Sequence, residues 1–75
     1  MDTEVIITLK EGEDFIRLSQ ALKKAAVTGS GAEAKMRIRD GEFPVNGEEE
    51  IRPGRKLYDG DTFTGDGKTF RIRKQ

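Results

Sequence analysis

Residues 28–41, TGSGAEAKMRIRDG, decide the fold because they carry the start and stop signals of one helix. Ser30 and Glu33 form a capping box, in which the serine hydroxyl accepts from the amide of Glu33 and the glutamate carboxylate reaches back. Gly41 suits the left-handed position that follows the last turn of a helix. The pattern predicts a helix that follows this box and ends at Gly41, with an inner face formed by Ala34, Ile38 and Gly41.

The segment before this helix predicts a second, shorter one. Apolar residues at helical spacing indicate a helix from Gln20 to Ala26, and its start is left open near Leu18 or Ser19. Ile16 falls outside the apolar arc, so Ile16 and Leu18 favour a short extended segment before the helix. Thr28-Gly29 then breaks the chain.

Strands and turns surround the two helices. Glu4–Lys10 is rich in β-branched residues and predicts a strand, whose inner face holds Val5, Ile7 and Leu9. After Gly41 the chain alternates short apolar runs with turns, and Asn46-Gly47 is the strongest hairpin signal. Further turns are indicated at Pro53-Gly54, Asp59–Asp61 and Gly65–Gly67. This order predicts an α+β fold in one domain over residues 1–75: an N-terminal strand, a two-helix motif and a small antiparallel sheet of hairpins.

Composition argues against several classes of function. The chain has 75 residues, zero formal net charge, no cysteine and no histidine. Thiolate chemistry is therefore impossible, and the commonest general base and metal ligand is missing. We expect no enzyme, no metal site and no cofactor. No apolar run approaches about 18 residues and no leader opens the chain, so we expect a cytoplasmic protein without a membrane span or secretory signal.

The acidic residues have structural explanations. We expect Glu48–Glu50 to form a solvated strand end. The spacing of the turn aspartates fits no calcium loop, and these residues are Asp59, Asp61 and Asp66. Gly67-Lys68-Thr69 is similar to the end of a P-loop, but the glycine that such a loop requires five residues earlier is Thr62.

The basic residues are stronger candidates because they are grouped along the chain. The first group falls between Arg17 and Arg39. The second comprises Arg52, Arg55 and Lys56, and the third comprises Arg71, Arg73 and Lys74. Lys35 and Arg39 share one side of the second helix, whose start offers unpaired amides at Ser30, Gly31 and Ala32. Gly31 leaves that end open to close approach. The sequence predicts a phosphate-binding corner built from this helix and the arginines of a following loop. The ordinary alternative is that these cations only solvate the surface.

The stretch from Ile16 to Asp61 resembles the S4 RNA-binding domain, a small helix–turn–helix and hairpin module. This module occurs in a ribosomal protein, some tRNA synthetases and many pseudouridine synthases. The resemblance lies in the order and spacing of several short matches, which are Arg17–Lys23, Ser30–Lys35, Val45–Gly47, Arg52–Leu57 and Gly60-Asp61. The Ser-Gly-Ala opening and the Gly-Arg-Lys-Leu loop are similar to those of short free-standing bacterial S4 proteins.

The resemblance implies that the two helices form an RNA-binding αL motif. It implies RNA contacts by Arg17, Ser30, Gly31, Lys35, Arg55 and Lys56; geometry adds Arg39 and Arg52 and, more weakly, Lys24. The expected partner is structured RNA, either ribosomal or transfer RNA, with ribosome association, no membrane contact and a monomeric protein. Arg37 stands where the family has an aliphatic residue, and we expect its stem to cover the core while its charge points outward.

Aromatic residues are not expected to take part in binding. Tyr58 is a lone stacking candidate, and we assign the phenylalanines to the core. The expected mode of recognition is therefore contact with phosphates and backbone shape rather than with particular bases.

Two other functions compete with RNA binding. A protein-interaction adaptor would use the same basic surface for an acidic protein, and zero net charge with exposed Met36 and Ile16 favours it. A ubiquitin-like carrier fits the small size, but the chain ends with Arg73-Lys74-Gln75 rather than a flexible diglycine.

Overall fold

The computed structural model describes residues 3–75 and confirms the α+β fold. Two short helices lie between strands, and the chain ends in a hairpin. In chain order the elements are β1 Thr3–Thr8, β2 Phe15–Arg17, α1 Leu18–Lys24, α2 Gly31–Arg39, β3 Lys56–Tyr58, β4 Thr62–Gly65 and β5 Lys68–Arg73. Neither described helix combines the length and the apolar character that a membrane crossing requires.

The second helix, α2, begins and ends as predicted. Ser30 Oγ accepts from the amide of Glu33 at 3.1 Å. The carboxylate of Glu33 accepts from the amide of Gly29 at 2.9 Å, one residue earlier than the capping box predicts. Gly41 has a φ of 78°, the left-handed conformation that a helix end requires.

The first helix, α1, starts at Leu18 directly after the extended segment, as predicted, but ends at Lys24 rather than Ala26. Ala26 takes a left-handed φ of 58°. Its amide donates to Lys23 O at 3.0 Å, and the amide of Val27 donates to Leu22 O at 2.9 Å. This pair of hydrogen bonds is a Schellman motif, which closes the helix early even though alanine, not glycine, occupies the left-handed position.

The strands form two separate sheets. In the first, β5 lies between β1, which is parallel to it, and β4, which is antiparallel to it. In the second, β2 pairs antiparallel with β3, so that Phe15 faces Tyr58, Ile16 faces Leu57 and Arg17 faces Lys56. The predicted Asn46-Gly47 turn is confirmed by φ values of 51° and 80° and by a bridge between Val45 and Glu48.

The core lies between the sheets and the inner faces of the helices. Ile7 and Leu9 of the first strand region are buried, whereas Ile6 is 38% exposed, which confirms the predicted alternation. Three phenylalanines form its largest part, and the rings of Phe63 and Phe70 stack with centroids 4.6 Å apart. The prediction that Ile16 is exposed is wrong. Ile16 is 7% exposed because its place in β2 directs it inward beside Leu57.

A close contact fixes the last hairpin against the core. Gly65 ends β4, and a Cβ added there would overlap the buried ring of Phe43. No side chain fits in that space unless the ring moves. At Gly29, in contrast, no atom of the described residues outside its chain neighbours lies within 4 Å of the corresponding position.

We therefore expect Gly65→Ala to lower the free energy of unfolding by about 1–3 kcal/mol through overpacking. The matched change Gly29→Ala should stay within about 0.5 kcal/mol of the parent. Urea unfolding followed by circular dichroism measures both. Equal stability of the two variants would contradict the close packing of Phe43 on β4.

Candidate nucleic-acid interface

A loop between the helices and β3 is fixed to the start of α1 by backbone hydrogen bonds. We call residues 50–55 the arginine loop. The amides of Leu18 and Ser19 donate to Arg55 O at 2.9 Å and Pro53 O at 3.0 Å. Arg17 Nη1 donates to Gly54 O at 2.8 Å. Arg17 at the N-cap has no oxygen that could accept from the first amides of the helix, so the loop carbonyls satisfy them instead.

A buried carboxylate organises the arginine loop from inside. Glu50 is 5% exposed and accepts from Arg52 Nε at 2.9 Å, Arg52 Nη2 at 3.0 Å and Arg55 Nη1 at 3.0 Å. It also accepts from the amide of Arg52 at 3.0 Å. The side-chain hydrogen bonds from Arg52 are the main cause that lowers the pKa of Glu50 to about 2. The carboxylate is thus held ionised by charge-assisted hydrogen bonds.

The prediction of a solvated strand end is therefore wrong for Glu50, although Glu48 and Glu49 are exposed. A run of three glutamates gives no sign that the last one points inward. The usable signal is the pair of arginines two and five residues later, on either side of the Pro53-Gly54 turn. That turn folds both arginines back over the carboxylate.

An open pocket lies where the arginine loop, the start of α1 and the β2–β3 ribbon meet. We call it the basic pocket; it has a volume of about 650 Å³ and is lined by Arg17, Arg52, Gly54, Arg55, Lys56 and Tyr58. Four cations line it, and Glu50 is paired with two of them. Although Arg52 is ion-paired, its side chain is 72% exposed, whereas that of Arg55 is 29% exposed. Positive charge therefore remains in excess at this pocket.

Arg17 and Lys56 are adjacent on the outer face of the β2–β3 ribbon. Neither forms an ion pair within residues 3–75. The Lys56 ammonium lies 4.8 Å and the Arg17 guanidinium 5.7 Å from the centroid of the Phe15 ring. The assignment of every phenylalanine to the core is wrong for Phe15, which is only half-buried. Its ring makes cation–π contacts with both cations.

A second group of predicted residues lies on α2. The hydroxyl of Ser30 is used by the cap, while the amides of Ser30, Gly31 and Ala32 find no acceptor within residues 3–75. Lys35 and Arg39 are exposed and, in the described part of the chain, form no ion pair. None of these residues lines the basic pocket. Apart from Lys24, the structure thus divides the predicted site residues between two groups, one at the basic pocket and one on α2.

Lys23 belongs to the second group, although sequence reasoning did not select it. Its Cδ lies 4.0 Å from the place where a Cβ would stand at Gly31. The packing of α1 on α2 therefore brings a cation to the open end of α2. The sequence signal was the run Lys23-Lys24, but the pattern could not distinguish which lysine faces that end.

Lys24 points elsewhere. Its ammonium donates to Thr8 O at 2.6 Å, and the side chain lines a different pocket with Lys10, Glu13, Ile16 and Gln20. The structure places Lys24 with neither group. Its contact instead holds the end of α1 against β1.

Arg37 covers the core, as predicted, but its charge does not point outward as expected. Its guanidinium lies 4.8 Å from the centroid of Phe43 and donates to Glu42 at 2.9 Å and Asp66 at 2.8 Å. The guanidinium itself therefore lies on a core ring, and two carboxylates compensate its charge. The exposed cations of α2 that form no ion pair with any described residue are thus Lys35 and Arg39.

The turn aspartates have the structural roles expected of them. The carboxylate of Asp61 accepts from the amide of Tyr58 at 2.7 Å and from Asn46 Nδ2 at 3.1 Å. Asp59 accepts from the amide of Lys74 at 2.8 Å. Within residues 3–75 no three acidic side chains are grouped so that they could hold a metal ion.

The buried carboxylate makes stability depend on pH. Because the pKa of Glu50 is lower in the folded chain than its ordinary value of 4.5, the ionised group stabilises the fold above that pH. This contribution is lost as the pH falls toward 2. Glu50→Gln should lower the neutral-pH unfolding free energy by about 1–3 kcal/mol and flatten its acid dependence, as measured by urea unfolding at several pH values.

The control variant is Asp14→Asn. Lys74, at 2.6 Å, lowers the pKa of Asp14 as well, but that pair is exposed. We expect this change to alter the profile little, since exposed pairs contribute little to stability. If Glu50→Gln kept the unfolding free energy of the parent at every pH, the hydrogen bonds between Glu50 and the two arginines would not stabilise the fold.

Comparison with known proteins agrees with this architecture. The model of the S4 domain family matches residues 7–73. A similar protein, the "Probable ribosome maturation protein RlbA" of Bacillus subtilis (strain 168), is 44% identical over 54 residues, which cover 72% of this chain and 76% of the relative. The match to the family model extends from the end of β1 through the last strand and so includes both helices and the arginine loop. The chain therefore belongs to the S4 domain family.

Proposed function

We propose that this protein is a non-enzymatic module that binds structured RNA, with ribosomal RNA as the favoured class. The observation that carries the proposal is the basic pocket: four cations converge on one open concavity, and among residues 3–75 one carboxylate is paired with them. Membership of the S4 family and the name of the Bacillus relative support it. Transfer RNA is the other class of structured RNA that the same chemistry would accept.

Binding would rest on phosphates. Arg52 is held in a fixed orientation by Glu50 yet keeps most of its side chain exposed, so little conformational entropy is lost when it pairs with a phosphate. Arg17 and Lys56, which form no ion pair in the described part of the chain, add two cations beside it. Such contacts position an RNA backbone without selecting a sequence.

The second group of cations and amides, on α2, would supply a second contact on the same RNA. The free amides at Gly31 and Ala32 can donate to a phosphate, and Lys35 and Arg39 add charge along the helix. Two separated groups favour a folded RNA, whose backbone passes both, over a short flexible strand. A role in ribosome maturation would place the protein in the cytoplasm, and it requires no second copy of the chain.

An acidic protein is the alternative partner. Met36 is 60% exposed beside the cations of α2, and an apolar side chain there suits a protein surface better than a phosphate backbone. The burial of Ile16 removes the other residue on which this alternative rested. Capture from a lysate with and without nuclease separates the two: loss of partners after nuclease treatment supports RNA, and their retention supports the adaptor.

Salt dependence tests the electrostatic mechanism. Four to six phosphate contacts should give a slope of about −3 to −5 when the logarithm of the affinity for ribosomal RNA fragments is plotted against that of salt concentration. Filter binding or fluorescence anisotropy measures it. A slope near zero, or no binding at low salt, would contradict the proposal.

A charge reversal at one cation tests the location. Lys56→Glu should weaken RNA binding roughly tenfold near 0.1 M salt and reduce the slope by about 1, since it removes one phosphate contact. Lys68→Glu makes the same charge change on β5, outside the basic pocket, and should alter affinity less than about twofold. Both side chains are exposed and form no ion pair within residues 3–75, so folding should survive. Equal losses for the two variants would mean that only total charge matters.

A further inference from the structure

The outer face of the β2–β3 ribbon combines aromatic rings with cations. We propose that Tyr58, supported by Phe15, stacks against one unpaired base of the bound RNA. This subsite rests on the proposed function and adds to it a contact with a base, where the mechanism above uses only phosphates.

The register of the ribbon puts these side chains on one face. Phe15 pairs with Tyr58 and Arg17 with Lys56, while Ile16 pairs with Leu57 between them. Because side chains alternate along a strand and paired residues share a face, the Ile16–Leu57 pair occupies the opposite side. Ile16 and Leu57 are 7% and 0% exposed. One face is therefore core, and the other carries two aromatic rings and two cations.

Tyr58 is available for stacking. It is 48% exposed and lines the basic pocket. The Phe15 ring lies beside it, with centroids 5.9 Å apart and an interplanar angle of 50°. Since Lys56 is 4.8 Å from the Phe15 ring and Phe15 is half-buried, Tyr58 presents the freer aromatic surface.

The backbone at Tyr58 is held in place. Its amide donates to the Asp61 carboxylate at 2.7 Å, and its carbonyl accepts from the amide of Asp61 at 2.9 Å. Asn46 donates to the same carboxylate and accepts from the amide of Thr62 at 3.0 Å, which connects this turn to the Asn46-Gly47 turn. A ring on so constrained a turn loses little backbone freedom on binding.

The cations next to Tyr58 indicate that the ligand stacked on its ring is a nucleotide. An isolated exposed tyrosine could contact many ligands, but Tyr58 shares its pocket with Arg17, Arg52 and Lys56. A nucleotide offers an aromatic base and a phosphate together, and these match the ring and the cations. A base within a duplex is stacked on both faces by its neighbours and has no face left for Tyr58. The bound base must therefore be an unpaired one outside the duplex, with a face that Tyr58 can reach.

Tyr58 is also its own probe, because it is the only tyrosine of a chain that lacks tryptophan. The experiment compares a stem–loop RNA that has an adenosine-rich loop with the same stem as a blunt duplex. We expect the stem–loop to quench the tyrosine emission of the native protein and the duplex to leave it nearly unchanged. The RNA also absorbs light and lowers the measured emission. A mixture of free tyrosine and the Tyr58→Phe variant, titrated with the same RNA, measures this loss so that it can be subtracted.

Variants provide the second readout. Tyr58→Ala should weaken stem–loop binding roughly 5- to 100-fold, as the removal of one base–aromatic stack does, and leave duplex binding within about twofold. Tyr58→Phe retains the ring and should bind both RNAs within about twofold of the parent. Thermal unfolding checks that the variants fold, and the quenching measurement needs no variant.

Two failures are distinguishable. If the stem–loop binds but neither quenches Tyr58 nor responds to Tyr58→Ala, the stacking subsite is overturned while phosphate-based RNA binding stands. If the native protein binds neither RNA at low salt, both the subsite and the proposed function are overturned.

Discussion

The docking of the arginine loop on the start of α1 is the contact on which the rest of the site depends. Carbonyls of Pro53 and Arg55 cap the helix, and the Glu50 carboxylate beneath holds two arginines. The same docking brings β3 alongside β2 and so creates the aromatic and cationic outer face. Burying a carboxylate is costly unless its charge and lone pairs are satisfied, and here two guanidinium groups and an amide satisfy them.

A chain of zero net charge can still present positive surfaces because several of its acidic side chains form ion pairs in other parts of the fold. Glu4 pairs with Arg71, Asp14 with Lys74, and Glu42 and Asp66 both pair with Arg37. Two members of the last basic group in the sequence are thereby compensated. Among residues 3–75 the four cations of the basic pocket have, by contrast, one paired carboxylate, and Lys35 and Arg39 of α2 have none. Ion pairing within the fold therefore converts charges that are mixed in sequence into distinct regions of the surface.

Sequence predicted the elements whose signals are local. The Ser30–Glu33 cap, the left-handed Gly41 and the Asn46-Gly47 turn each depend on a few adjacent residues, and all three were confirmed. The early end of α1, the inward position of Glu50 and the outward position of Phe15 could not be predicted in this way. Phe15 is placed by Tyr58, which is distant in sequence and lies across the ribbon. The end of α1 and the inward Glu50 depend on partners only two to five residues away, but the turns that bring those partners together are not visible in the helical or charge pattern. Candidate cations could be selected from sequence, but their division into two groups required the fold.

The most direct test of the account is an amide chemical-shift titration of the isotope-labelled protein with a ribosomal stem–loop RNA. The account predicts that the largest shifts fall in residues 15–19 and 52–58, with a second set at 30–35, and that β1 and β4 change little. If the largest shifts appeared on the three-stranded sheet while residues 52–58 stayed unchanged, the basic pocket would not be the RNA-binding surface.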